Sequence, residues 1–324
     1  MGWKERTNAL LVGATGYQLS RPPQDRAWRM PPPERTNALL VRLTGRQLTR
    51  PPSARVSHIP PPRGGRLLTG PVFIFSAARA GSTLLRAIMG SHPGLYAPPE
   101  LPLKQLRVRA ETKWIKASLD NLRLTVDELD YLLWDRVLAD ALERSGKPTI
   151  VVKTPSNVLV WKQIATCWPD ARFIFLLRHP AASVASLHSQ WNGNWHPDED
   201  GSFGEALAKG LRYMSTLEEA RSALDGLTVR YEELTADPEA TVREICAFLG
   251  VPFEPRMLDY GRFEHEGFAV GLGDSSEKIR SGRIQEAAPP PEQVPAELAG
   301  ICASWGYLEA GAGPARPGRP GSGS

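Results

Sequence analysis

From residue 71 onward, short apolar runs alternate with amphipathic stretches. The runs PVFIF (71–75), TIVVK (149–153), ARFIFLL (171–177) and LTVRY (227–231) are almost continuously apolar, the pattern of strands buried on both faces. Between successive runs the period becomes that of a helix. In TVDELDYLLWDRVLADALERSG, Thr125 and Glu128 have the spacing of a capping box, and Gly146 marks the stop. Leu129, Leu132, Leu133, Val137, Leu138 and Leu142 are expected to form one apolar stripe between them. In DPEATVREICAFLGV, Asp237 is the expected cap, Pro238 the first helical residue and Gly250 the terminator. Alternating strand and helix predicts an α/β fold with a parallel sheet of about five strands covered by helices on both faces. In such a sheet a ligand sits at the carboxyl ends of the strands, so chemistry is sought just after each run.

The flanks have a different character. The net charge of +4 over 324 residues conceals an asymmetry: residues 1–70 carry 12 Lys and Arg against 3 Asp and Glu, a net +9, and the rest is −5. The basicity therefore gives no reason to expect nucleic-acid binding by the folded part. Within residues 1–70, ERTNALLVGATGYQLSRPP (5–23) recurs as ERTNALLVRLTGRQLTRPP (34–52) among Pro-rich stretches. Two copies are too few for a stacked array, and this segment is expected to be disordered, a basic docking arm for a partner being the functional alternative. Residues 71–308 form the expected domain, and 309–324 a Gly/Pro-rich tail. Cys167, Cys246 and Cys302 lack the spacing of a disulfide framework or zinc site and are expected to be buried thiols in a reducing compartment, here the cytoplasm. No apolar run reaches the roughly 18 residues of a membrane span.

The first run leads into FSAARAGSTLLRAIM. Against the pattern G-x-x-x-x-G-K-[ST], Ser76 replaces the first glycine and Ser82 the lysine, while Gly81 and Thr83 remain. The anion site survives these changes, because Gly81 lets backbone approach an anion and the amides of the next turn point at it. Positive charge moves to Arg79, whose planar guanidinium holds two oxygens at once. Two further strands end in Lys153 and Arg178, where a nucleotide hydrolase needs a metal-binding aspartate. The combination predicts a P-loop-type fold binding a ligand with several anionic groups and no metal. A P-loop kinase or NTPase, or a non-catalytic nucleotide-binding module, is the alternative.

These residues resemble the sulfotransferases that use 3′-phosphoadenosine 5′-phosphosulfate (PAPS). FSAARAGSTLL is similar to that family's 5′-phosphosulfate loop, which implies ligand contacts for Arg79, Ala80, Gly81, Ser82 and Thr83. FIFLLRHPAASVASLHSQW is similar to its 3′-phosphate site, which implies a phosphate held by Arg178 and Ser186. VRYEELTADPEATVREICAFLGVP matches a strand, turn and helix of the family and is expected to be structural. GDSSEKIRSGRI (273–284) resembles the late loop that closes over the nucleotide, with Ser276 and Lys278 as its leading contacts and Arg280, Ser281 and Gly282 beside them. The pattern is nearest to tyrosylprotein sulfotransferases and to bacterial enzymes, including domains of polyketide synthases. There a run like SHPGLYAPPELPL follows the first helix and carries a glutamate that acts as base, which implies that role for Glu100.

The implied reaction is in-line transfer of a sulfuryl group from PAPS to an acceptor hydroxyl, releasing adenosine 3′,5′-bisphosphate without a metal. Glu100 deprotonates the acceptor, Arg79 and the loop amides hold the sulfuryl oxygens, and Lys153 meets the departing bridging oxygen. Many family members use a histidine base instead; His92 is expected to be structural, while His188 and His196 fall on the acceptor side. Trp114, Trp134, Trp191, Trp195 and Tyr213 are expected to wall the acceptor pocket, which a small molecule, lipid, glycan or carrier-bound hydroxyl could enter.

Overall fold

The computed structural model describes residues 65–191, 202–263 and 277–307, together with the backbone of two short strands, β1 (Gln18–Ser20) and β2 (Gln47–Thr49). The remaining residues of the two flanks lie outside the described residues. Within residues 1–58, β1 and β2 pair antiparallel with Leu19 opposite Leu48. They are equivalent tripeptides of the two repeat copies.

The domain is built on five parallel strands: β3 (Val72–Ser76), β4 (Leu95–Tyr96), β5 (Thr149–Lys153), β6 (Arg172–Leu177) and β7 (Gly226–Arg230). Their order is β4-β5-β3-β6-β7. The chain builds one side of β3 and then crosses to the other, so the carboxyl end of β3 is a topological switch point. Register sets Ile74 beside Lys153 and Ser76 beside Leu176, which brings the ends of β5 and β6 to the loop after β3. The two-residue β4 is too short to leave a pattern in the sequence.

Alternation along the central strands sorts side chains by type. Val72, Ile74, Ile174 and Leu176 face one core with Leu85, Ile88 and Val242. Phe73, Phe75, Phe173 and Phe175 face the other, where Phe73 and Phe173 stack at 6.2 Å and Phe73 meets Trp168 at 5.4 Å. Each such side chain contributes about 1.5–3 kcal/mol on burial, so this aromatic layer is the main anchor of the sheet. β7 departs from expectation: only Val229 is fully buried in it, because it is an edge strand, and Tyr231 leaves the strand to open a helix.

Helices α1 (Ser82–Gly90), α2 (Lys113–Leu122), α3 (Val126–Ser145), α4 (Trp161–Cys167), α5 (Pro180–Trp191), α6 (Phe203–Ala223), α7 (Tyr231–Ala236) and α8 (Pro238–Leu249) connect these strands. The Thr125–Glu128 capping box forms, with Gly146 left-handed at the end of α3. Asp237 accepts from the Ala240 amide to cap α8, and Gly250 closes it at φ 68°.

Of the apolar stripe expected on α3, only Leu138 is fully buried. Leu132 is half exposed, while Asp127, Tyr131, Trp134 and Asp135 are buried. The cause is hydrogen bonding to neighbouring loops. Asp135 accepts from the Leu67 and Leu68 amides at 2.8 and 3.1 Å and from the Trp168 indole at 3.1 Å, and Asp130 accepts from Arg107 and the Val108 amide, each at 2.7 Å. Buried donors need partners, and these carboxylates outweigh the leucine pattern. The same bonds move the start of the domain: Leu68 is 2% exposed in the aromatic core, so the fold begins before residue 71. The three cysteines are free and buried, and burial raises the thiol pKa of each, that of Cys302 to about 11.

Replacing Asp135 by Leu leaves two buried donors and the part-buried Leu67 amide without an acceptor, a buried one costing about 1–3 kcal/mol. The variant should lose at least about 3 kcal/mol of unfolding free energy in urea, with Asp135→Asn losing less; wild-type stability in Asp135→Leu would contradict this role.

Candidate active site

The loop from β3 into α1 turns through two left-handed residues, Arg79 at φ 63° and Gly81 at φ 88°. Gly81 is required twice over. Its φ disfavours a side chain, and a Cβ there would lie 2.2 Å from the Tyr231 ring. The turn leaves the first residues of α1 with no side-chain cap, so the amides there are directed to whatever fills the loop.

Arg79 is the node of the site. Its Nε donates to the Ser186 hydroxyl at 3.2 Å, and its carbonyl accepts from Arg178 at 2.8 Å. The two sequence segments expected at opposite ends of the ligand are thus tied together here. Arg178 lies over the Tyr231 ring at 4.7 Å. Burial lowers its pKa from the ordinary guanidinium value, Tyr231 and Glu232 oppose the shift, and Arg79 adds to it.

At the end of β5, Lys153 is 1% exposed, forms an ion pair with Glu100, and donates to the Thr83 hydroxyl at 3.3 Å. The segment carrying Glu100 is anchored on both sides. The buried Arg86 donates to the Ala97 carbonyl at 3.2 Å before it. After it, Asn157 and Thr154 donate to the Leu101 carbonyl, each at 3.1 Å, and Asn157 accepts from the Leu103 amide at 2.9 Å.

These groups meet in one cavity of about 610 Å³ lined by Arg79, Gly81, Ser82, Thr83, Glu100, Arg178, Ser186 and Lys278, among others. Ala80 is buried and does not line it. Lys153 is also absent from the lining: its ammonium stands behind Glu100 and Thr83 rather than in the cavity. Ser276 lies outside the described residues. Lys278 reaches the lining from a short helix, α9 (Glu277–Arg280), and donates to the Glu286 carbonyl at 3.4 Å. That loop is pinned where Gly282 crosses Gly261, since a Cβ on either would meet the other's Cα at 2.5 Å.

Several expectations for the acceptor side change. Trp134 is core, with its indole donating to the Leu106 carbonyl at 2.7 Å, and Trp114 is 74% exposed on α2. Tyr213 does line the cavity. Trp195, His196 and the side chain of Trp191 lie outside the described residues. His92 is engaged on both nitrogens, donating from Nε2 to Pro252 and accepting at Nδ1 from Gly94, as expected of a structural residue. His188 packs edge-on against Phe203 and does not line the cavity. Sequence reasoning missed Tyr231, Tyr260, Lys209 and Arg283, which all line it. Tyr231 was hidden because it reads as the last residue of a strand pattern, and the clue was its place at a strand end opposite the glycine loop.

Gly81→Ala should destabilise the protein by about 1–2 kcal/mol through its left-handed backbone alone, and further through the Tyr231 contact. In a Tyr231→Ala background the same substitution should cost less; equal costs in the two backgrounds, measured by denaturation, would contradict the contact.

The model of the Sulfotransferase family matches residues 71–255, more than half of the chain. A protein-tyrosine sulfotransferase of Drosophila melanogaster is 23% identical over 240 residues, covering 70% of this chain and 48% of that protein. The nodulation protein NoeE of Sinorhizobium fredii is 30% identical over 221 residues, 59% and 52% of the two chains. The chain thus spans about half the length of these curated relatives. Among solved structures, the sulfotransferase domain from the curacin biosynthetic pathway superposes with a TM-score of 0.53 at 22% identity, covering 75% of this chain and 99% of that one. The sulfotransferase domain from the Synechococcus PCC 7002 olefin synthase superposes at 0.51 with 20% identity, over 77% and 98%. A single architecture is therefore shared, and the chain belongs to the sulfotransferase family.

Proposed function

We propose that this chain transfers the sulfuryl group of PAPS to an acceptor hydroxyl. The observation that carries this reading is the composition of the cavity: Arg79, Arg178, Lys278 and the amides after Gly81 converge on one space whose only lining carboxylate, among the described residues, is Glu100. Such a lining fits a donor with three separated anionic groups. Strand ends that deliver Lys153 and Arg178, where a hydrolase needs a metal-binding aspartate, support side-chain cations in the metal's place.

PAPS supplies a sulfuryl group that passes to the acceptor oxygen as adenosine 3′,5′-bisphosphate departs. Arg79 and the loop amides hold the 5′-phosphate and sulfuryl oxygens, with charge-assisted bonds that strengthen as charge shifts toward the departing oxygen. Arg178, stacked on Tyr231, holds the 3′-phosphate, and Ser186 fixes Arg79 between the two sites. Glu100 accepts the acceptor's proton as the new S–O bond forms. Lys153 acts in this arrangement as a positioning residue, keeping Glu100 aimed and orienting the Thr83 hydroxyl. The free, buried thiols support a reducing compartment, and we place the reaction in the cytoplasm.

Glu100→Gln keeps the shape of the cavity and removes the base. With labelled PAPS and a panel of hydroxyl acceptors, transfer should fall by about 10² to 10⁴, while affinity for adenosine 3′,5′-bisphosphate stays close to wild type. Undiminished transfer would overturn the role of Glu100, and the absence of any nucleotide binding in the wild type would overturn the reading itself.

A further inference from the structure

Lys278, Arg283 and Gln285 reach the cavity from a segment with little regular structure of its own. Helix α9 is a single turn, and residues 281–287 after it belong to no helix or strand. Ser281 knots the segment internally. Its hydroxyl donates to the Lys278 carbonyl at 2.7 Å and accepts from the Arg283 amide and the Gln285 side chain, each at 3.3 Å. Such a unit keeps its own shape, but it has to be fixed to the domain before its cations can be aimed.

Tyr260 supplies a fixing point. Its side chain is buried in the same apolar cluster as Tyr231, Met257 and Ile279. Its hydroxyl donates to the Ile279 carbonyl at 3.2 Å and to the Arg283 carbonyl at 3.3 Å. One proton shared between carbonyls four residues apart spans the whole turn. The first of those carbonyls belongs to the residue after Lys278, and the second to Arg283 itself. The crossing of Gly261 and Gly282 lies at the very next residue, so hydroxyl and backbone act on the same turn. At the exit of the segment the Thr235 hydroxyl accepts from the Ala287 amide at 3.1 Å. Glu100 follows β4, the strand at one edge of the sheet, whereas Tyr260 comes after β7, the strand at the other.

We propose that Tyr260 is a positioning residue for the donor nucleotide: its hydroxyl holds the 277–287 segment so that Lys278 and Arg283 are already aimed into the cavity when the anionic ligand enters. This rests on the sulfuryl-transfer reading above. Long cationic side chains lose much of their freedom on binding, and a backbone fixed beforehand leaves less to be ordered at that moment. A phenylalanine at this position keeps the ring that lines the cavity and removes the donor that the two carbonyls share. The loss then falls on the placing of the cations rather than on packing.

Tyr260→Phe is compared with the wild type by calorimetric titration with adenosine 3′,5′-bisphosphate and by hydrogen exchange of the ligand-free protein. The dissociation constant should rise about tenfold, the equivalent of one hydrogen bond. Backbone amides of residues 277–287 should exchange faster than in the wild type, while those of β3, β5 and β6 keep their rates. A merely structural tyrosine makes no demand on the cations, so the substitution is repeated in Lys278→Gln and in Arg283→Gln proteins. In at least one of these backgrounds its effect should shrink to about threefold or less. Binding by Tyr260→Phe as tight as that of the wild type overturns the inference, and so does a full tenfold effect in both backgrounds. Faster exchange throughout the domain would make Tyr260 a residue of the core alone and overturns it as well. Each of these results leaves sulfuryl transfer standing. Failure of the wild type to bind the nucleotide at all would overturn the underlying reading and this inference with it.

Discussion

The constraint on which the rest of the site depends is the left-handed turn at Arg79 and Gly81. A strand that feeds a helix has to reverse its hydrogen-bonding pattern in a few residues, and here it does so with two positive φ angles, one of them on an arginine. Tyr231 fills the space that a side chain at position 81 would take, and Arg178 stacks on the other part of that ring. The Arg79 carbonyl is in turn held by Arg178, and its side chain by Ser186. The loop, the end of β6 and the start of α7 thus fix one another. These contacts hold Arg79 and Arg178 in place within the protein itself, and donors held in place in this way are preorganised for a ligand.

The second structural commitment is the pair of Lys153 and Glu100. Removing one partner of a buried ion pair typically costs about 3–5 kcal/mol, whereas an apolar replacement of both is often neutral. Stability alone therefore gives no reason to bury an ammonium at the end of a central strand. The proposed reaction offers one: the lysine holds the Glu100 carboxylate in place at the cavity wall and bonds the Thr83 hydroxyl on the loop beside it. In the proposed reaction the sulfuryl group carries less charge than a phosphoryl group, which is why side-chain cations are assigned the place of a metal.

Much of this was legible in the sequence, and the failures share a cause. Strand positions follow from apolar runs, and the strand-end residues Lys153 and Arg178, with Arg79 from the loop pattern, come together at or beside one cavity. Caps at Thr125 and Asp237 rest on contacts within one turn, and they formed as written. What a local pattern could not reveal was decided by partners distant in the chain. Asp135 turns a charged face of α3 inward because amides 67 residues earlier need an acceptor. Lys153 lies behind the cavity wall because Glu100, 53 residues before it, draws its ammonium there. Tyr231 reads as the last residue of a strand until the glycine loop is laid against it, and Lys209 reads as one more lysine on an exposed helix until Gly210 is seen to set that helix close to α5.

The central claim is that side-chain cations of this cavity hold a 3′-phosphorylated adenosine ligand without a metal. It is tested most directly by calorimetric titration of the protein with adenosine 3′,5′-bisphosphate and with ADP, each in the presence of EDTA and again with excess Mg²⁺. The account predicts that the 3′-phosphorylated nucleotide binds at least about 100-fold more tightly than ADP, the equivalent of roughly 2.7 kcal/mol, and equally well in both buffers. Comparable affinity for ADP, or binding that appears only with Mg²⁺, would contradict it.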